Sequence, residues 1–67
     1  GFMKFETYAK KRGVDPELLT KALIAIGVFN GSGTPKKATV DSGIFDSDGN
    51  VVSVPLLNKL LSTMTGK

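Results

Sequence analysis

The sequence predicts a small α+β domain: a helix-turn-helix, a short helix, a β-hairpin and a C-terminal helix. Three observations predict it. Apolar residues recur at helical spacing in the first, second and last parts of the chain. Gly13, Gly27 and Gly43 stand where these helical patterns stop. Two short apolar runs flank the turn sequence "DSDGN". The 67 residues suffice for one domain, placed at residues 3–67. Neither an internal repeat nor a second domain is read along it.

The first helix is expected over residues 4–12. Phe5, Tyr8 and Ala9 form its apolar face, and Lys10, Lys11 and Arg12 suit the negative end of its dipole. Gly13 breaks the chain. The second helix is expected over residues 15–26. Asp15 is its N-cap, Pro16 fits the first helical position and Glu17 favours the first turn. Leu19, Ala22, Leu23 and Ile26 share its inner face, and Gly27 ends it. "NGSG" at residues 30–33 is flexible by composition. Thr34 followed by Pro35 reads as an N-cap and first residue of a short helix over 35–41, which Gly43 ends. Ile44 and Phe45 form one strand of a hairpin and Val51, Val52 and Val54 the other, with Asp48 and Gly49 at its tip. The last helix is expected over 53–64. Ser53 caps it, Pro55 lies in its first turn, and Leu57, Leu60, Leu61 and Met64 share a face. Residues 65–67 are expected to fray.

This order is that of a winged-helix-like domain. Ala9 stands four residues before Gly13 and Leu19 six after it. A small residue lets the helices approach, a glycine permits positive φ, and the leucine anchors the second helix. The stretch "YAKKRGVDPELLTKALIAIGVF", followed by "TPKKATVDSGIF", resembles the C-terminal, KilA-C type domain of phage antirepressors. The residues that carry the resemblance are Ala9, Gly13, Val14, Leu23, Gly27, Val28, Thr34, Ala38 (counting from Pro35), Gly43 and Ile44. They are fold markers, and the similarity covers most of the chain. Val51, Val52 and Val54 stand where such proteins often carry aromatic and basic residues. The resemblance implies a regulatory protein of a phage or mobile element.

Composition narrows the function. The net charge of +3 and a pI near 9.5 permit nucleic acid without demanding it. With no Cys and no His, disulfides and the usual zinc chemistry are excluded, and no nucleophile has an evident base. Catalysis, cofactors and a small-molecule substrate are therefore not expected. A hydrophobic content of 40% and a mean hydropathy of +0.04 suit a globular domain. No apolar run reaches the roughly 18 residues of a membrane span, and residues 2–5 are too short for a signal-peptide core. Gly1 and Phe2 read as a cloning remnant before a natural start at Met3, and the expected setting is cytoplasmic.

Two functions are carried forward. In the first, the protein binds double-stranded DNA, chiefly by electrostatics. Lys10, Lys11 and Arg12 contact phosphates beside the second helix, Thr20 and Lys21 lie on that helix's outer face, and Lys36 and Lys37 add a further basic pair. The second helix has no Arg, Asn or Gln to read bases in bidentate fashion. In the second, the same fold engages a protein partner or a second copy of the chain, through surplus apolar residues such as Ile24 and Phe29. "DSDGN" is read as a turn and not a calcium loop. Its glycine is fourth rather than sixth, and Leu57 occupies the twelfth position, where a Glu would be needed. "GSGTPKK" lacks the spacing of a phosphate-binding loop and is read as a linker.

Overall fold

The computed structural model describes residues 3–65. Gly1 and Phe2, the expected cloning remnant, lie outside the described residues, as do Gly66 and Lys67 of the expected frayed end. The described chain folds as α1 (Phe5–Lys11), α2 (Pro16–Ala25), α3 (Lys37–Asp41) and α4 (Val54–Thr65). Three isolated antiparallel bridges join Met3 to Val51, Phe29 to Pro35 and Phe45 to Val51.

This corrects the expected fold class. The molecule is mostly helical and, among the described residues, holds no sheet. The winged-helix-like α+β layout required a β-hairpin as its wing. Residues 45–51 instead close on a single bridge, and no strand extends from it. The reason is local. Ser53 caps α4, its hydroxyl accepting from the Leu56 N–H at 3.3 Å, so the valine run is cut short by a helix start.

The helix signals hold except at the start of the short helix. The Asp15 carboxylate accepts from the Glu17 N–H at 3.1 Å, with Pro16 opening α2. Gly13 and Gly27 take positive φ (72° and 86°) and close α1 and α2 in the same way. The Gly13 N–H donates to the Lys10 carbonyl and the Val14 N–H to that of Ala9. Gly27 and Val28 repeat this on Ile24 and Leu23. At α3 the Gly43 N–H donates to Val40, while the Ser42 hydroxyl takes the Thr39 carbonyl. The buried residue four before each glycine is Ala9, Leu23 or Thr39, whereas the aligned Ala38 is exposed.

α3 begins at Lys37, without a side-chain cap, and not at Pro35. Thr34 is drawn away, because its hydroxyl donates to Asn30 Oδ1 at 3.0 Å. Here the chain repeats itself, contrary to expectation. Residues 29–35 form a first loop and residues 45–51 a second. In each, the N–H of residue 33 or 49 donates to the carbonyl of residue 30 or 46. The N–H of Asn30 or Asp46 donates to the carbonyl of Thr34 or Asn50, and that of Lys36 or Val52 to the carbonyl of Val28 or Ile44. Gly33 and Gly49 have φ of 89° and 88°, the glycine-bulge form of reverse turn. The aligned residues "GVFNGSG" and "GIFDSDG" share both terminal glycines and the phenylalanine.

The core gathers around these two loops. Phe29 and Phe45 meet edge to face at 5.0 Å, and Phe5 of α1 closes the trio at 5.7 and 6.1 Å. Leu19 and Leu23 of α2, Val51, and Leu57 and Leu61 of α4 complete it. The buried Thr39 hydroxyl donates to the Val28 carbonyl at 2.8 Å, so it carries no unmet polar group into the core.

Candidate nucleic-acid interface

α1 packs on α2 across a turn at residues 12–15, and α2 keeps one face exposed. The outward residues of α2 are Glu17, Leu18, Lys21 and Ala25, with Thr20 half-buried. Leu18 is 60% exposed, the most open large apolar side chain among the described residues.

The basic residues divide by what they touch. Lys10, Lys11 and Lys21 are exposed, and no acidic side chain pairs with them among the described residues. Lys37 is paired with Asp41 one turn on, at 3.1 Å, on an open surface where such a pair contributes about 0.3–0.5 kcal/mol. Lys36 reaches back towards the end of α2. A methyl placed on Gly27 would lie 3.8 Å from its ammonium, where a cation meets the negative end of the helix dipole.

Arg12 is held in place. Its guanidinium lies 5.7 Å from the centre of the Tyr8 ring, and Nη1 donates to Tyr8 Oη at 3.2 Å and to Asn58 Oδ1 at 3.1 Å. Tyr8 donates its hydroxyl to the same Asn58 oxygen at 2.5 Å. Arg12 thus ties α1 to α4, a role its sequence neighbours could not reveal. Thr20 donates its hydroxyl to the Pro16 carbonyl at 2.9 Å, and its methyl lies 3.7 Å from where a side chain on Gly33 would begin. The first loop therefore flanks α2.

Two candidate partner contacts change place. Phe29 is 3% exposed and belongs to the aromatic trio, so it cannot form an open contact surface. Ile24 packs partly against the core, while Ile26, expected inside, is 42% exposed. The Schellman turn explains the exchange. Folding back at Gly27 lays Val28 and Phe29 over Leu23, both donating to its carbonyl, and they fill the space that Ile26 would need.

The second loop is built around one carboxylate. Asp46 Oδ1 accepts from the Asp48 and Asn50 N–H groups at 2.9 Å each, and Oδ2 from Asn50 Nδ2 at 3.1 Å. Bonding to Asn50 above all holds its carboxyl below the usual range, against a smaller opposing effect of burial. In the first loop neutral Asn30 does this work, its Oδ1 accepting from the Ser32 and Thr34 N–H groups at 3.1 and 3.4 Å.

No protein-family description, curated protein or solved structure matches this chain significantly. No helix among the described residues is long and apolar enough to cross a membrane.

Proposed function

We propose that the chain is a small regulatory DNA-binding module of a phage or mobile element, acting in the cytoplasm by binding and not by catalysis. The observation that carries the reading is the surface of α1 and α2. Two helices meet at a tight turn, and Lys10, Lys11 and Lys21 stand exposed on them without acidic partners among the described residues. The resemblance of residues 8–29 to KilA-C type domains supports it. Binding is electrostatic and weakly sequence-selective, because the outer face of α2 offers Lys21 and no bidentate base reader.

Titration of labelled protein with duplex DNA at two salt concentrations tests the proposal. Changing Lys10 and Lys11 together to Ala should weaken binding to every sequence and flatten log K against log salt by about 0.9 per lost contact. The fold should survive, because both side chains are exposed.

One observation favours a protein partner instead. Leu18 stands on the face that would meet DNA and is 60% exposed. A leucine so placed gains nothing from phosphate but suits an apolar pocket. A duplex dissociation constant no tighter than about 10⁻⁴ M at physiological salt would favour this second reading. Capture of a repressor or a second copy, lost in Leu18→Glu, would then be its signature.

A further inference from the structure

The two loops share a backbone, so what distinguishes them is the charge they carry and what they adjoin. The first has a neutral tip, Gly31 and Ser32, and is followed by Lys36 and Lys37. The second carries Asp46 and Asp48 and is followed by Val52 and Ser53. Their positions differ too. The first loop lies against α2, with Gly33 beside Thr20 and Lys36 beside Gly27. The second lies against the first, a methyl on Gly49 falling 3.9 Å from Pro35 Cδ. The order from α2 outward is therefore basic flank, then acidic border.

We infer that the first loop extends the α2 surface as a phosphate-facing flank, and that the second loop marks its edge. The partner is the sugar-phosphate backbone of duplex DNA, so the inference rests on the function proposed above. A neutral tip lets the strands come close, Lys36 supplies a point charge for phosphate oxygens, and Lys37 supplies a second by exchanging its weak, exposed pair with Asp41 for phosphate. Asp46 and Asp48, two carboxylates on an exposed turn, repel a backbone that passes over them. The bound duplex accordingly lies across α2 and the first loop and stops short of the second.

The molecule contains its own control for the test. The triple change Asn30→Asp, Gly31→Ser and Ser32→Asp gives the first loop the tip of the second. The second loop carries these residues on the same backbone, so the variant should fold. Lys59→Glu, at an exposed position of α4, changes net charge by the same amount elsewhere. Anisotropy titration of a labelled random duplex should show the grafted tip weakening binding roughly tenfold, because both new carboxylates stand within a Debye length of the phosphates. Lys59→Glu should change it less than about threefold, and neutralising Asp46 and Asp48 to Asn and Ser should not weaken it. Should the graft melt early, Lys36→Gln with Lys37→Gln reads the same surface, and a salt slope lower by about 1.8 is expected. Equal losses in the graft and in Lys59→Glu, or an unchanged slope in the lysine pair, would overturn the flank while leaving DNA binding intact. A wild-type chain that binds no duplex would overturn both.

Discussion

Between Phe29 and Pro35, and again between Phe45 and Val51, the chain makes the same reverse turn, yet among the described residues only the second takes a further segment onto its edge. Val51 donates its N–H to the Met3 carbonyl at 2.8 Å and accepts from the Met3 N–H at 3.0 Å. Pro35 holds the equivalent position and has no N–H to donate, so its edge is closed to such pairing. The pairing across the turn survives the proline, because the bonds flanking it are made by Asn30 and Lys36. Turn geometry and edge chemistry are thus set by separate residues. Both loops anchor a phenylalanine in the core, and the second adds Val51, fully buried and paired with Met3.

The largest test of this comparison removes the shared phenylalanines. Phe29→Ala and Phe45→Ala should each destabilise the domain by about 3–5 kcal/mol, since both rings are buried in the same trio. Thermal unfolding that spares one of them would show that the loops are alike in bonding only. Leu23→Ala, beneath both loops on α2, should lose about 2–5 kcal/mol. A melting temperature within a degree or two of wild type would mean that the face is misplaced.

A finer test addresses the bulges. Gly33→Ala and Gly49→Ala each meet only ordinary contacts, so their cost is the positive φ itself, about 1–2 kcal/mol. Matching losses in denaturant midpoints would sharpen the equivalence, and a twofold disparity would break it.

The smallest effect is a difference in acid response. Asp46 titrates below its ordinary value in the folded state, so its contribution is full above the unfolded value of 3.8 and is lost as pH falls through the folded one. Asp46→Asn should remove part of the acid-side loss of stability, and Asn30→Asp should add one to the first loop. Unfolding midpoints compared between neutral pH and pH below 3.8 read this directly, and parallel acid profiles for both variants and wild type would contradict it.

The helix ends were legible because each depends on one residue with a distinct physical property. Asp15 caps, Pro16 starts, and Gly13, Gly27 and Gly43 take positive φ. The repeat left only the shared glycines and phenylalanine of residues 27–33 and 43–49 as its trace, because the bonds that define it run through the backbone. Valines at 51, 52 and 54 have the composition of a strand, and the Ser53 cap, a local competitor, starts a helix there instead. The candidate site was legible as charge. It was not legible as geometry, because neither the clasp of Arg12 on Asn58 nor the burial of Phe29 leaves a trace in spacing.

The bond between Met3 and Val51 has a consequence for the order in which the molecule assembles. Each helix stop and each loop is closed by partners a few residues apart, so these pieces can form early and independently. The bridge from position 3 to position 51 is the opposite case, and it draws on the loop-closure entropy of the long segment between them. On a ribosome, Met3 has no partner until residue 51 has emerged. Met3 and Lys4 therefore dock only after Val51 has emerged, and α4, which follows Val51 and carries Leu57 and Leu61 of the core, docks later still.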